Sequence, residues 1–313
     1  MDNKPWIEKY RPGTFEEIVL NKYNKHIFKN IIKKNTFPNL LFYGPPGTGK
    51  TTTIINLIKK YQSVHNMNVN TKGLVIHLNA SDDRGIDIIR NQIYQFVHTK
   101  CLFGAGMKFV ILDEADYMTK NAQQALKYLI QKYNKHVKFC IICNYISRIE
   151  ESLQNEFIKL HFSALPQSDI MDYLKKITKK ENLRISKKAL ISIQEFFKSD
   201  IRSMVNYIQA NNENININII STAFWENLTR FVIKNHDNQT ASIHYINEKS
   251  KYYNQNTITF IKNYISHLLN NEDRVLTPGF MDFFMFIIHN NSSSGEITLK
   301  YFIHGFLELY KEI

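Results

Sequence analysis

The stretch from Asn39 to Thr52, NLLFYGPPGTGKTT, constrains the fold more than any other part of this 313-residue chain. It opens with a short apolar run, Leu40 to Tyr43, that has the length of a buried strand, and a glycine-rich loop follows. The residues from Thr52 to Lys60 then show the apolar spacing of a helix. Strand, glycine loop and helix in this order match the phosphate-loop pattern G-x-x-x-x-G-K-[ST]. The pattern predicts that the chain binds a nucleoside triphosphate.

The residues of this loop have separate expected roles. Glycines let backbone N–H groups turn inward around phosphate oxygens, and the N-terminus of the following helix attracts the same charge. Lys50 is expected to reach the β- and γ-phosphates, and the hydroxyl of Thr51 is expected to bind Mg²⁺. The residues expected to hold ATP in this stretch are Gly44, Pro45, Pro46, Gly47, Thr48, Gly49, Lys50, Thr51 and Thr52.

Composition and charge narrow the classes of partner. A hydrophobic content of 43% is that of an ordinary globular protein, and the length leaves room for two or three domains. The formal charge of +12 favours a polyanion such as nucleic acid, although an anionic membrane surface would attract it too. No apolar run approaches a membrane span and the N-terminus has no apolar signal core, so no membrane partner is expected. Three cysteines argue against a disulfide framework.

Strand-like and helix-like segments alternate through the first half of the chain. Strands are predicted over 40–43, 74–78, 108–112, 137–143 and 158–162, with helices over 52–60, 86–97, 121–132 and 148–154. This alternation predicts an α/β fold with a mostly parallel sheet and a ligand at the carboxyl ends of the strands. After Ser163 the pattern becomes helical, over 168–181, 187–198 and 200–211. A polar, low-complexity stretch at 211–218 is the best linker candidate, and 220–313 is predicted to be all helical.

Acidic and amide side chains follow two of these strands. Asp113 and Glu114 end the third strand, where one carboxylate is expected to join the Mg²⁺ shell and the other to polarise an attacking water. Asn144 ends the next strand and is expected to orient that water, although a strand-end asparagine taken alone is more often a turn former. Together with Lys50, these residues predict an ATPase site.

At this point the sequence resembles the AAA+ ATPases, and among them the small subunits of replication factor C, the sliding-clamp loader. The matching segments lie between residue 5 and about residue 210 and read WIEKYRP, GPPGTGKTT, LNASDDRGID, LDEAD, CNY and SDIR. The last third of the chain matches only in length and helical character. The resemblance implies an AAA+ phosphate-loop sheet over 1–163, a helical lid over 164–215 and an all-α collar over 216–313.

The resemblance also implies roles for residues outside the phosphate loop. Tyr10, Arg11 and Pro12 would line the adenine side of the site, and Arg202 would be the lid arginine that contacts the γ-phosphate. Arg84 and Arg90 would face the DNA backbone inside a spiral of five subunits. Contacts of this kind follow duplex shape and depend on salt. The implied partners are the other subunits of a hetero-pentamer, a sliding clamp and primer–template DNA, in a nucleus or at a cytoplasmic replication site.

One segment departs from the family pattern. Where the family has Ser-Arg-Cys, whose arginine reaches into the neighbouring subunit's ATP site, this chain has Asn155, Glu156 and Phe157. An arginine finger contributes about 10³- to 10⁵-fold in rate, and a carboxylate cannot replace it. The subunit is therefore predicted to use its own ATP without completing a neighbour's site. Arg148, at the start of the same predicted helix, is a poor substitute.

Two rival functions stay open from the sequence. The chain could be a structural subunit that binds ATP with little hydrolysis, or a subunit of another AAA+ DNA-remodelling ATPase. The letters DEAD at 113–116 suggest an RNA helicase, but the surrounding segments do not follow that family.

Cys140 and Cys143 form C-x-x-C on one strand, and a period of two directs them to opposite faces. Core packing is therefore favoured over a metal site at the two cysteines.

Overall fold

A computed structural model describes residues 4–65, 73–81, 88–99, 107–211, 220–253, 255–289 and 294–311. The chain divides into two compact units, the first made of Met1–Arg184 with Gln194–Ala210 and the second of Ile185–Ile193 with Asn211–Ile313. Two helices of the expected lid therefore belong to the same unit as the sheet. The division into core, lid and collar stays a prediction, and the proposed linker lies mostly outside the described residues.

The first unit is built on a five-stranded parallel sheet with the strand order β2-β3-β4-β1-β5. The strands are β1 (Leu40–Tyr43), β2 (Val75–Asn79), β3 (Lys108–Asp113), β4 (Val137–Cys143) and β5 (Ile158–His161). The three inner strands are buried almost throughout. Strands that are covered on both faces read as continuous apolar runs, which is why the sequence located them to within a residue. The predicted α/β class is confirmed.

Alternate side chains of the inner strands enter two different cores. Leu41, Phe139 and Cys143 pack on one face, while Leu40, Phe42 and Cys140 pack on the other. The two cysteines of the C-x-x-C sequence therefore lie on opposite faces, as predicted, and both are buried. Burial raises the pKa of the Cys143 thiol to about 12, so neither its position nor its ionisation suits a metal ligand.

Helices cover both faces of this sheet and extend beyond it. In the first unit they are α1 (Trp6–Lys9), α2 (Lys22–Lys34), α3 (Lys50–Val64), α4 (Tyr94–His98), α5 (Lys120–Tyr133), α6 (Glu151–Gln154), α7 (Gln167–Lys180) and α9 (Ile201–Ala210), with α8 (Lys187–Phe197) divided between the units. A single π-helical turn, Ile88–Ile93, precedes α4.

One predicted helix is broken. The predicted helix over 148–154 is replaced by a 3₁₀ turn at Ile146–Arg148, extended backbone at Ile149 and the short helix α6. The buried amide of Gln123, on α5, donates to the Arg148 carbonyl and accepts from the Glu150 N–H. These long-range hydrogen bonds compete with the hydrogen bonds of a continuous helix, and the local spacing of apolar residues cannot predict them.

The second unit is helical, as predicted. Its helices after α8 are α10 (Thr222–Lys234), α11 (Gln239–Tyr252), α12 (Thr257–Asn271), α13 (Pro278–His289) and α14 (Gly295–Lys311). Phe280 and Phe284 of α13 are fully buried among apolar side chains from the neighbouring helices, whereas Phe286 is exposed beside Tyr301. Among the helices described, none is both long enough and apolar enough to cross a membrane.

Candidate nucleotide-binding site

A cleft of about 630 Å³ opens at the carboxyl ends of β1, β3 and β4. It is lined by the phosphate loop, the N-terminal segment, the ends of the strands, and helices α7 and α9 of the expected lid. Predicted site residues lining it are Arg11, Pro12, Pro46, Gly47, Thr48, Gly49, Lys50, Thr51, Thr52, Asp113, Glu114, Asn144 and Arg202. Residues scattered over the sequence are thus brought to one place.

Two glycines of the loop are required by the structure itself. Gly44 has φ 142°, and a Cβ there would lie 2.2 Å from the carbonyl oxygen of Phe162. Gly47 has φ 74°, and its Cβ would lie 2.9 Å from the Cα of Asp200 at the start of α9. Both conformations are unfavourable for residues with a side chain. The loop therefore packs closely against the end of β5 on one side and against the lid on the other.

Lys50 is buried at the centre of the loop. Its Nζ donates to the carbonyls of Gly44 at 2.8 Å and Pro45 at 2.9 Å, and to Oδ1 of Asn144 at 3.0 Å. Burial lowers the pKa of the ammonium group, and the charge of Asp113 opposes that shift. Gly44 and Pro45 thus contribute carbonyls that hold the lysine, although neither lines the cleft. The hydrogen bond to Asn144 connects the phosphate loop to the end of β4.

Asp113 and Thr51 meet where a magnesium ion is expected. The Thr51 hydroxyl donates to Oδ2 of Asp113 at 2.6 Å, and the Glu114 N–H donates to Oδ1 at 2.9 Å. Burial alone would raise the pKa of Asp113, but the nearby His77 imidazole and these two donors hold it below its usual value. The carboxylate is therefore ionised and fixed in position, which is the state in which it can bind a cation.

Glu114 follows with an unusual backbone. Its φ and ψ of 55° and 36° are left-handed, which is uncommon for any residue other than glycine. This conformation ends β3 and begins the 3₁₀ turn Ala115–Tyr117, and the Glu114 side chain lines the cleft. Residues in such conformations concentrate at functional sites because the surrounding structure must maintain them.

Arg202, the arginine expected to contact the γ-phosphate, lies on a capped helix. The Asp200 carboxylate accepts from the backbone N–H of Ser203 at 3.1 Å and from its hydroxyl at 2.7 Å, which fixes the first turn of α9. Arg202 lies in that turn and lines the cleft. The same Asp200 contacts the phosphate loop at Gly47, so the position of the arginine is linked directly to that of the loop.

The N-terminal segment connects the lid to the phosphate-loop helix. Arg11 donates from Nε to the Thr52 hydroxyl at 3.1 Å, and the Pro12 carbonyl accepts from Asn56 at 2.9 Å, both on α3. The Tyr10 carbonyl accepts from Tyr173 of α7 at 2.8 Å.

The side chain of Tyr10 is not among those that line the cleft. Its hydroxyl donates to Glu181, which also accepts from Lys9 at 2.6 Å. That Tyr10 lines the adenine side of the site stays a prediction.

Sequence reasoning missed the apolar lining of the cleft and three of its polar residues. The apolar and aromatic side chains come from the N-terminal segment and the expected lid: Ile7, Ile18, Val19, Leu165, Tyr173, Ile201 and Val205. The polar residues are Glu8, Glu17 and His77. Nε2 of His77 lies 3.8 Å from Oδ2 of Asp113. The parallel pairing of β2 with β3, in which Asn79 is opposite Asp113, would have indicated it.

The other predicted residues are either outside the described part of the chain or not among those that line the cleft. Arg84 falls outside the described residues, as does the side chain of Arg90. Glu156 is held on its own subunit because its Oε1 accepts from Gln131 of α5 at 2.7 Å, and Phe157 is buried in the core. Arg148 is exposed and lies over the rings of Tyr117 and Tyr145, at 5.8 and 5.3 Å.

The cleft fits a magnesium–nucleotide complex better than a metal ion alone. Among the residues described, no three imidazole, thiol or carboxylate groups converge as a metal site. Magnesium is usually held by one or two protein oxygens together with substrate phosphates, and Thr51 and Asp113 supply such a pair. The buried ammonium of Lys50 suits the phosphates, and the apolar side chains that line the cleft suit a base.

Comparisons with known proteins agree with this geometry. The family model described as "ATPase family associated with various cellular activities (AAA)" matches residues 40–164. Replication factor C subunit 3 of Schizosaccharomyces pombe is 41% identical over 206 residues, which are 66% of this chain and 59% of the relative. Subunit 3 of Saccharomyces cerevisiae is 39% identical over 209 residues, 67% of this chain and 60% of the relative.

An archaeal protein shows the same similarity. Replication factor C small subunit 2 of Pyrobaculum islandicum is 40% identical over 204 residues, 65% of this chain and 62% of the relative. The matches thus cover about three fifths of the length of these relatives. Residues 40–164 therefore match the AAA ATPase family, and about two thirds of the chain is similar to subunits of replication factor C.

Proposed function

We propose that this chain is an ATPase subunit of a DNA sliding-clamp loader, which uses ATP binding and hydrolysis to open the clamp and load it at primer–template junctions. The observation that carries the proposal is the single cleft in which Lys50, Asp113, Asn144 and Arg202 converge from four separate segments. The similarity to replication factor C subunits supports the clamp-loading part.

Each residue has a defined task in the proposed reaction. Lys50 neutralises the β- and γ-phosphates once its loop carbonyls are exchanged for phosphate oxygens, and Asn144 keeps its ammonium directed into the cleft. Thr51 and Asp113 would hold Mg²⁺, which would supply charge stabilisation of the transferred phosphoryl group. Glu114 accepts a proton from the attacking water, and Arg202 contacts the γ-phosphate from the lid.

The lid couples ATP binding to a change of conformation. ATP would bridge the phosphate loop and Arg202, two elements that Asp200 already joins. Binding therefore favours the arrangement in which lid and loop are close. We propose that residues 1–163 act as the AAA+ core, 164–215 as the lid and 216–313 as a collar that associates with other subunits.

The proposed partners follow from the resemblance and the charge. They are the other subunits of a hetero-pentamer, a sliding clamp, and primer–template DNA contacted through Arg84 and Arg90. The net charge of +12 suits DNA, whose binding would weaken with salt through counterion release. A eukaryotic chain with these tasks would work in the nucleus, or in a cytoplasmic replication site if replication occurs there.

We further propose that the subunit does not complete its neighbour's site. Glu156 stands where the family has the finger, and its carboxylate is bound to Gln131. Arg148 is held against two tyrosine rings of its own subunit. Such a subunit suits a specialised place in a hetero-oligomer of non-identical sites.

The experiment is ATP turnover by the complex assembled with Glu114→Gln, measured with clamp and primer–template DNA present. We expect this subunit's share of the turnover to be lost while ATP binding is retained. The matched control is Glu151→Gln, which makes the same chemical change at an exposed position outside the cleft. Turnover unchanged by Glu114→Gln would instead favour a structural subunit that binds ATP with little hydrolysis.

A further inference from the structure

A second groove lies on the same unit at the opposite edge of the sheet from the nucleotide cleft. Its volume is about 470 Å³. The chain enters β1, β3 and β5 here, at Pro38, Met107 and Ile158. Because the sheet is parallel, the amino ends of its strands share one edge and the carboxyl ends share the other. The groove and the phosphate loop are therefore separated by the length of the strands.

The floor of the groove is apolar. One stripe of α2 faces it, with Ile27, Ile31 and Lys34 at the spacing of a single helix face. Ile158 opens the edge strand β5 and leaves 46% of its surface exposed, in a strand that is otherwise polar outside. Covering this exposed isoleucine, which lines the groove, with another apolar side chain would be favourable in free energy.

The rim of the groove is positive. Lys34, Lys135 and Lys138 line it, and no aspartate or glutamate is among the described residues that do. Among the described residues, the ammonium of Lys138 donates to two neutral acceptors of Asn134, its backbone oxygen at 2.7 Å and its side-chain oxygen at 3.1 Å. Burial lowers the pKa of Lys138. A carboxylate placed in the groove would stabilise the charged form of Lys138 and so oppose this lowering of its pKa.

We propose that this groove is a docking site for an acidic peptide segment of a partner protein, with one apolar side chain on Ile158 and flanking carboxylates on Lys34, Lys135 and Lys138. The apolar floor and the charged rim together select this occupant. A nucleic-acid backbone would match the three lysines but would leave the isoleucine floor uncovered, since phosphates and sugars offer no apolar group for it.

The site is independent of the ATPase proposal. Its strand residues lie at the amino ends of the strands, whereas the strand-end residues of the nucleotide cleft lie at the carboxyl ends. Among the described residues the two lining sets share no member. Peptide and nucleotide can therefore occupy the unit together.

The test is fluorescence anisotropy of the full chain with a short labelled peptide of glutamates and aspartates around one central leucine. We expect saturable binding to the unaltered protein. Lys34→Glu combined with Lys135→Glu should weaken it by about tenfold or more, since opposed charges in an interface become like charges. A peptide with serine in place of leucine should bind several-fold more weakly, because the apolar contact is lost.

The matched control is Lys22→Glu combined with Lys25→Glu, which makes the same charge change at exposed positions in the first turn of α2. These lysines lie about 14 Å or more along the helix from Lys34. The control should bind the leucine peptide as the unaltered protein does, and a fluorescent ADP analogue should bind all variants alike, which verifies folding.

Three results would overturn the proposal. They are no binding of the leucine peptide, equal loss in the control variant, and equal binding of the leucine and serine peptides. If single-stranded DNA of equal charge bound at the groove and displaced the peptide at lower concentration, the site would belong to nucleic acid.

Discussion

The contact between the phosphate loop and the lid can be tested with a single methyl group. In Gly47→Ala the new Cβ would lie 2.9 Å from the Cα of Asp200 and 2.0 Å from its Oδ1. The carboxylate cannot simply rotate away, because it accepts two hydrogen bonds from Ser203 that begin α9. The lid must therefore shift or the loop must deform.

A second glycine of the same loop separates steric collision from backbone strain. Gly49 has φ 83°, close to the 74° of Gly47, but a Cβ there meets nothing within 4 Å. Left-handed backbone costs an alanine about 1–2 kcal/mol, and both variants carry that cost. Overpacking adds about 1–3 kcal/mol, and only Gly47→Ala carries it. The expected destabilisation is therefore about 2–5 kcal/mol for Gly47→Ala and about 1–2 kcal/mol for Gly49→Ala.

The assay is urea unfolding of the nucleotide-free protein, followed by fluorine NMR after incorporation of fluorotryptophan. The chain has two tryptophans, Trp6 in the first unit and Trp225 in the second. The Trp6 signal should report the loss of stability, and the Trp225 signal provides an internal control. Equal destabilisation by the two alanines would refute the inferred contact between loop and lid.

Three further predictions concern the site and its surroundings. Asn144→Ala removes the 3.0 Å hydrogen bond to Lys50 and should lower single-turnover hydrolysis by about 10²-fold, while nucleotide affinity measured by calorimetry changes far less. The Lys9 hydrogen bond keeps the pKa of Glu181 below its usual value, so this contact stabilises the protein above the ordinary carboxyl pKa and is lost as the pH falls through the lowered one. Thermal midpoints of Glu181→Gln and the unaltered protein should therefore differ at neutral pH and converge once the pH falls below the lowered pKa of Glu181, and a constant difference would contradict this. Arg148→Ala should leave turnover of the assembled complex within about twofold, whereas loss of a true finger costs about 10³-fold or more.

The polar half of the site could be predicted because its residues occupy positions that topology brings together. Lys50 follows β1, Asp113 ends β3 and Asn144 follows β4, and the carboxyl ends of parallel strands meet at one edge. Chemistry-bearing residues at strand ends are conspicuous in a sequence. The order of the strands was not needed to group them.

The apolar half could not be predicted, because Ile18, Leu165 and Val205 look like core residues in any sequence. Only the folded chain shows that these buried side chains also border a cleft. His77 required the register between β2 and β3, which the sequence does not contain. The break between Arg148 and Glu150 depends on Gln123, a residue far along the chain.

The most direct test of the central claim is native mass spectrometry of the complex purified with this chain as bait, in the presence of a non-hydrolysable ATP analogue. The account predicts a hetero-pentamer of related ATPases, in which the ejected bait subunit carries the mass of the analogue and Mg²⁺. The same measurement on Lys50→Ala should show the subunit without nucleotide, since the ammonium that holds the phosphates is gone. A closed hexamer, a lone monomer, or a bait subunit that is free of nucleotide in the unaltered protein would contradict the account.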